Sequence, residues 1–381
     1  MNPIPRQERR LVHFMHSLEV GGLERVVLEL VRRARAEGLD HRLLICDRPY
    51  SPAGADFDPG DIPCDFIQRG SGLDLRFVRR LKSYWAESGV GIVHAHNDTP
   101  IAYAALAGLP RRARTPTLVG TFHTLPSHGG RPARMLTRWA TGRASAMTAV
   151  SEELGARLRD SGWSRPMQVI QNGVPLDTFS PRRSGDAARS WRSRFAVPTE
   201  SLLIGCLARF TQGKRQVDLI EAASILRSRG VPCTVLLAGQ GPDRNELSAL
   251  VRDRKDVHLL DPVEDVVDLL RELDVFVLCS DHEAHPRSVL EAMACGIPCV
   301  LTDTGGMPDM VRSPGDVQPA LLVPVASPND LADALAKLAA SPGLRSEMAA
   351  AARRRSEAFS FERQWDQYRQ LWAEVSRTDD G

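Results

Sequence analysis

An arginine and a lysine five residues apart, Arg209 and Lys214 in CLARFTQGKRQ (206–216), carry the first chemical signal in the chain. They follow an apolar run and precede a stretch with helical spacing. A forked guanidinium and a compact ammonium beside a helix N-terminus make a clamp for a diphosphate. The chain has four lysines (82, 214, 255 and 337) against 45 arginines, so a lysine beside Gly213 is not basic filler. The plain alternative is two solvated side chains on a loop.

DHEAHPRSVLEAMACGIP (281–298) is the second such segment. Glu283 lies in a loop after a strand, and Glu291 in the helix that follows. Carboxylates accept hydrogen bonds from vicinal hydroxyls, so this pair suits one sugar ring at Glu283 and another at Glu291, while the main-chain N–H groups of Arg287 and Ser288 suit a phosphate. Two other readings stay open. Ser288-x-x-Glu291 has capping-box spacing, and His282-Glu283-x-His285 suggests metal but lacks the HExxH spacing of two histidines on one helical face. LLAGQGPDRNEL (236–247) has Gly239-x-Gly241 after a strand but no third glycine. That makes a poor dinucleotide fingerprint and a good tight turn, with Gly239 close to a ligand.

The elements that must hold these residues alternate between short apolar runs and amphipathic stretches. Strand-like runs at 11–18, 41–47, 91–96, 117–123 and 145–151 flank helical spacing in the first half. Runs at 201–208, 233–239, 256–260, 274–280, 299–303 and 320–324 do so in the second, with a helix over 215–229. Each half is thus a doubly wound parallel α/β domain. The stretch 171–197, rich in Pro, Ser, Arg and Asp, is the linker. The expected domains are 1–180, joined by a C-terminal helix over 361–381, and 181–360. Trp365, Tyr368 and Trp372 give that helix one aromatic face, expected to pack on the body. Ligands of such sheets bind beyond the carboxyl ends of the strands, which places the expected site in an interdomain cleft.

With 381 residues, 43% hydrophobic and 25% charged, the chain excludes collagen-like, coiled-coil and disordered classes. Its longest apolar runs fall far short of the ~18 residues of a membrane span. The opening ten residues, with Pro3 and Pro5, show no signal-peptide pattern. Seven cysteines, mostly inside apolar runs, read as buried reduced thiols of a cytoplasmic protein. Residues 1–180 hold 24 Arg/Lys against 18 Asp/Glu, a charge of +6, and the remainder 25 against 29, or −4. The surplus includes Arg111, Arg112, Arg114, Arg131, Arg134, Arg138 and Arg143. It suits an anionic acceptor or peripheral contact with the inner face of an anionic membrane, or is simply a solvated surface. No aromatics interleave with it as in nucleic-acid platforms, so no nucleic-acid partner is expected.

Taken together, the segments resemble a retaining GT-B-fold glycosyltransferase of glycosyltransferase family 4. The resemblance rests on EVGGLERV (19–26), GTFHT (120–124), VSEEL (150–154), NGV (172–174), the Arg209…Lys214 clamp, GQGP, Glu283…Glu291 and GGMPDMV (305–311), in order. It implies two facing Rossmann-like domains with the nucleotide sugar on the second. Arg209 and Lys214 would bind the diphosphate, and Glu291 the ribose. Glu283 and the main chain of Ala284, His285, Pro286, Arg287 and Ser288 would hold the donor sugar and phosphate. His123 would line that sugar, Gly21 and Gly22 would admit donor phosphate and acceptor without a Cβ in the way, and Asn172 would stand near the domain junction or form an Asn-Gly turn. His123, Glu283, Arg209 and Lys214 form the implied catalytic set.

The implied reaction is transfer of a hexosyl group from a nucleotide sugar, UDP-sugars before GDP-sugars, to a glycan or lipid-linked acceptor hydroxyl. It proceeds with retention, without cofactor or metal, in polysaccharide or glycoconjugate biosynthesis. A nucleotide-sugar epimerase and a non-catalytic sugar-nucleotide-binding scaffold are the alternatives. The chain departs from the family pattern at Arg215, where a glycine is usual, at Glu283-Ala284-His285 in place of Glu-Gly-Phe/Leu, and at Pro175. His285 and Arg287 would thereby alter sugar choice or meet an anionic sugar. His94 and His96, in a buried-looking strand, are expected to be structural.

Overall fold

A computed structural model describes residues 10–19, 21–48, 58–110, 115–126, 130–163, 166–182, 191–263, 265–312, 315 and 317–378. Arg111, Arg112 and Arg114, and residues 183–190 of the linker, lie outside that set. The chain divides into two compact units, Met1–Gln171 with Gln364–Gly381, and Asn172–Arg363.

The first unit is built on seven parallel strands: β1 (Arg10–Met15), β2 (His41–Ile45), β3 (Cys64–Phe66), β4 (Val90–His96), β5 (Thr117–Phe122), β6 (Ala146–Ala149) and β7 (Gln168–Val169). They run in the order β3-β2-β1-β4-β5-β6-β7, the doubly wound order that reverses beside the first strand. Five helices connect them: α1 (Gly22–Ala36), α2 (Leu75–Ser88), α3 (Asp98–Ala107), α4 (Arg131–Thr141) and α5 (Glu152–Asp160). Amphipathic spacing makes α1, which buries Val26, Val27, Leu30, Val31 and Ala34 and turns Arg32 and Arg33 outward. Asp74 caps α2 by accepting from the N–H groups of Arg76 and Phe77, both at 2.9 Å, and Gly89 ends it at φ 62°.

The second unit repeats the plan with six parallel strands: β8 (Leu202–Leu207), β9 (Cys233–Ala238), β10 (Val257–Leu260), β11 (Val275–Leu278), β12 (Cys299–Thr302) and β13 (Ala320–Val323), ordered β10-β9-β8-β11-β12-β13. A short helix, α6 (Trp191–Arg194), precedes them. Between and after them come α7 (Gln216–Ser228), α8 (Arg244–Val251), α9 (Val266–Leu270), α10 (Arg287–Ala294), α11 (Met307–Val311), α12 (Pro328–Ala340) and α13 (Pro342–Ser356). The four central strands, β8, β9, β11 and β12, are buried on both faces and read as continuous apolar runs, as parallel sheets require, while the edge strands β10 and β13 are partly open.

The boundary falls at Gln171/Asn172, nine residues before the expected 180/181. Residues 172–180 are tied to the second unit by hydrogen bonds. The Val174 N–H donates to the Phe359 carbonyl at 2.9 Å and the Phe361 N–H to the Val174 carbonyl at 3.0 Å. Arg271 donates to the Ser180 carbonyl and hydroxyl at 2.8 and 2.9 Å. The last helix, α14 (Phe361–Thr378), belongs from Gln364 onward to the first unit. Trp365, Tyr368 and Trp372 are buried there.

Candidate functional site

In the second unit the sequence-selected residues gather in the turns that follow β8, β9 and β11. Lys214 ends a short 3-10 turn (Gln212–Lys214) and is ion-paired with Glu283. The Ser280 hydroxyl donates to the same Glu283 oxygen at 2.8 Å. These turns hold one another by main-chain bonds: Asp281 N–H to the Gly213 carbonyl at 2.9 Å, and Gly306 N–H to the Glu283 carbonyl at 2.8 Å. Gly305 sits at φ 58°, where a Cβ would lie 2.1 Å from the Glu283 carbonyl oxygen, so GGMPDMV needs its glycine to let Glu283 approach. Arg209 is exposed at the end of β8, and its carbonyl accepts from the Gln216 side chain at 2.8 Å.

The structure explains one departure from the family pattern. Position 215 has φ 50° and ψ 39°, the left-handed region that costs a non-glycine residue about 1–2 kcal/mol. Arg215 offsets this with two hydrogen bonds to Asp218, at 2.7 and 3.0 Å, and one to Asp281 at 3.4 Å. Gly239 and Gly241 both have φ 155°, and a Cβ on either would lie 2.1 Å from the Ala208 carbonyl or 2.2 Å from that of Phe210. The glycines of GQGP therefore serve the close approach of two protein turns, and the expected approach of a ligand to Gly239 is not what requires them.

Pro286 precedes α10, whose first residue is Arg287, and as the N-cap residue it gives that helix no side-chain hydrogen bond. Ser288 stands second in the helix, so the capping box is not formed. Glu291 is buried and accepts from Arg287 at 3.3 Å. The His285 ring is buried edge-on against Phe359, with centroids 5.3 Å apart. Burial, with the charge of Arg355 adding, pushes its pKa down to about 3. A neutral ring packed on Phe359 and a guanidinium engaged by Glu291 are poorly placed for the expected contact with an anionic sugar. The Asn172 side chain donates to the His285 carbonyl at 2.8 Å, so it fastens the start of this unit to the loop after β11 rather than closing an Asn-Gly turn. A Cβ on Gly173 would meet the Phe361 backbone at 2.7 Å.

In the first unit, Gly21 has extended backbone at φ −163° before α1, and its added Cβ would meet only the flexible Glu24 carboxylate. Around Gly22 a Cβ would meet nothing within 4 Å. His123 follows β5 and is buried. Its Nε2 lies 3.1 Å from His96 Nδ1, its N–H donates to Asn97 Oδ1 at 2.8 Å, and burial pushes its pKa down to about 3.

Sequence reasoning missed two features here. Asn97 has φ 65° and ψ −179°, a region open almost only to glycine. It is held by its N–H bond to the Thr121 carbonyl at 2.8 Å and by the His123 amide. Strain of about 1–3 kcal/mol beside His123 marks the loop as over-determined by its surroundings. The second feature is a cluster of five buried histidines, His13, His41, His94, His96 and His123, of which the sequence singles out His94, His96 and His123 but not their grouping. Strand parity carries the signal. His13 pairs with His94, His96 with Thr121 and His41 with Leu11, which puts them on one face once the strand order is known. Ring nitrogens of His13, His94 and His96 lie within 4.8 Å of one another, as do ligand atoms of His16, Cys46 and Asp47. Neither grouping includes His282 or His285.

Residues 20–178 match Glycosyltransferase Family 4, and residues 188–355 match Glycosyl transferases group 1. EpsF of Bacillus subtilis is 29% identical over 317 residues, 78% of this chain and 80% of that protein. The D-inositol 3-phosphate glycosyltransferase of Xylanimonas cellulosilytica is 33% identical over 388 residues, covering 92% and 89%. Among solved structures, Anabaena HepE in complex with UDP-glucose superposes with a TM-score of 0.79 at 18% identity, covering 96% and 99%. The two parallel-sheet units thus match the GT-B fold, and the chain belongs to the group 1, family-4-like glycosyltransferases.

Proposed function

We propose that the protein transfers a hexosyl group from a nucleotide sugar to the hydroxyl of a glycan or lipid-linked acceptor, with retention, in polysaccharide or glycoconjugate biosynthesis. The observation that carries the reading is the Lys214–Glu283 ion pair in the turns beyond β8 and β11, beside the start of α10, whose N-cap residue is Pro286. The ammonium and carboxylate neutralise each other, so donor binding exchanges partners instead of uncovering a lone charge. Lys214 and Arg209 then meet the diphosphate, the first N–H groups of α10 meet a phosphate oxygen, and Glu283 accepts from a sugar hydroxyl. As the glycosidic bond lengthens, negative charge grows on the leaving diphosphate, where these cations stabilise it. The diphosphate takes the acceptor proton as the hydroxyl attacks from the same face. UDP-sugars are the first donors to try, in keeping with the UDP-glucose complex of HepE.

Among the described residues no helix is long and apolar enough to cross a membrane. Leu73, Leu75 and Met135 are exposed, and a hollow of the first unit is lined by Arg69, Arg76, Arg79 and Arg80 around Asp74. They support peripheral contact with an anionic membrane, and equal recovery in the supernatant with anionic and neutral vesicles would remove that part. The main test incubates the protein with UDP-, GDP- and dTDP-sugars, with and without acceptors, and reads the product anomer by proton NMR. Acceptor-dependent product with the donor's configuration is expected. Acceptor-independent isomerisation would mean an epimerase, and binding without turnover a scaffold.

A further inference from the structure

Four of the buried histidines are joined nitrogen to nitrogen. His41 Nδ1 lies 3.2 Å from His13 Nε2, His13 Nδ1 lies 3.2 Å from His96 Nε2, and His96 Nδ1 lies 3.1 Å from His123 Nε2. Every link has the same sense, Nδ1 of one ring to Nε2 of the next. Both ring nitrogens of His13 and His96 are used in this way, which sets the arrangement apart from a ligand set that keeps a nitrogen of each ring for an ion. His94 stands beside the chain, with Nε2 at 2.7 Å from the Thr121 hydroxyl, itself 2.6 Å from that of Thr148. The rings of Tyr368 and Trp372 cover the group, with centroids 5.0–5.8 Å from those of His13, His41 and His94.

A neutral imidazole has one N–H and one bare nitrogen. A link holds only if one side donates and the other accepts, so neighbouring neutral rings must share a tautomer. The chain has two consistent states, every Nδ1 protonated or every Nε2 protonated. A ring out of step sets donor against donor, or lone pair against lone pair, in a place closed to water, which leaves buried polar atoms unsatisfied. Burial keeps the rings neutral, since all four have lowered pKa values.

We propose that His41, His13 and His96 are positioning residues that fix, through this hydrogen-bonded chain, which ring nitrogen of His123 carries its proton. Nδ1 of His123 has no hydrogen-bond partner among the described residues. The chain therefore decides whether that atom donates to a donor-sugar oxygen or accepts from a sugar hydroxyl. This use rests on the reading that His123 lines the donor sugar. A tautomer lock differs from a packing role because it transmits an effect across two links to a ring that the altered residue does not touch.

The test uses full-length protein labelled with 15N-histidine, in which long-range proton–nitrogen spectra report the tautomer of each ring at neutral pH. A single shared tautomer at His41, His13, His96 and His123 is expected, and a mixture along the chain in the wild type overturns the proposal without any variant. His13→Phe keeps a ring and breaks two links. It should release His123 into both tautomers and lower kcat at least about tenfold, with donor KM changed less than about threefold. The wrong tautomer of a catalytic histidine has cost as much as ~10⁴-fold elsewhere. An unchanged His123 spectrum, or a loss confined to KM, would refute the lock. His123→Ala separates the underlying reading: full activity in that variant removes His123 from the donor site but leaves the shared tautomer standing.

Discussion

Two sheets of one topology bury opposite kinds of interior. In the first unit the polar groups sit on the strands themselves, with His13, His41, His94, His96, Thr121 and Thr148 sharing a face that the aromatic side of α14 seals. In the second unit the strands bury Leu203, Ile204, Val235, Leu236, Val277, Leu278, Val300 and Leu301, while Lys214 and Glu283 wait in the turns beyond them. A polar group placed within a strand of a covered sheet loses its water, so it must stay neutral and find a partner. A polar group placed just past the strand keeps its charge and stays within reach of a ligand. The same fold thus places its polarity in a hydrogen-bonded interior in one half and in an ion pair in the turns beyond the strands in the other.

Acid should separate the halves most sharply. All five buried histidines have pKa values held below the usual 6.5, chiefly by burial, His41 at about 4 and His123 at about 3. In the unfolded chain they titrate near 6.5, so between that pH and their folded values the unfolded state binds more protons. Their neutral burial therefore costs nothing above pH 6.5, and stability falls as the pH drops below it. At pH 5 the loss is roughly 2 kcal/mol per imidazole, set only by the unfolded pKa. Asp40 and Asp47 have lowered pKa values and act in the same direction, but only below about pH 4. Hydrogen exchange from pH 7.5 to 5 should show β1, β4 and β5 losing protection first, with β8, β9 and β11 following. Equal loss in both sheets would end the contrast.

The second unit should instead respond in chemistry. Under the proposed function, Lys214→Ala would remove a cation from the leaving diphosphate, and Glu283→Gln the carboxylate that meets the sugar. Each should lower kcat by about 10²–10³, or ~3–4 kcal/mol of transition-state stabilisation. Lys214 is part-exposed, so circular dichroism and Tm should change little for that variant. Near-wild-type turnover in both variants would move the site elsewhere.

The contrast also explains which parts of the molecule were readable beforehand. All six strands of the second sheet, and five of the seven in the first, announce themselves as apolar runs. The two edge strands, Cys64–Phe66 and Gln168–Val169, are too short for any alternation to register. Lys214 and Glu283 stand out in the sequence because charged residues at strand ends in such a sheet have few structural reasons to be there, and the structure pairs them with each other. The histidine chain does not, because adjacency of His13, His94 and His96 follows from strand order, which periodicity does not encode. What GQGP and Asn172 hold within the protein was not legible, for a related reason. What the glycines and the amide meet are the turn at Ala208–Phe210 and the loop at His285, neighbours visible only in three dimensions.

The smallest of these effects lies at the one imidazole that the apolar second unit does bury. Among the described residues neither ring nitrogen of His285 has a hydrogen-bond partner, and its pKa near 3 keeps the ring neutral. Two orphaned polar atoms cost about 1–3 kcal/mol, against which the edge-on packing on Phe359 returns about 0.5–1.5. Leucine has similar bulk and no polar atom, and Asn172 bonds to the main-chain carbonyl of residue 285, which His285→Leu leaves in place. The variant should gain about 1 kcal/mol, a rise in Tm of ~2–4 °C for a unit of this size. The same exchange at His94, whose Nε2 is bonded to Thr121, should lower Tm instead, because it takes a short hydrogen bond away from a buried hydroxyl that keeps only its bond to Thr148 and a long one to Tyr368. If both substitutions shift Tm in one direction, the histidines of the two sheets do not differ in the way their hydrogen bonds indicate.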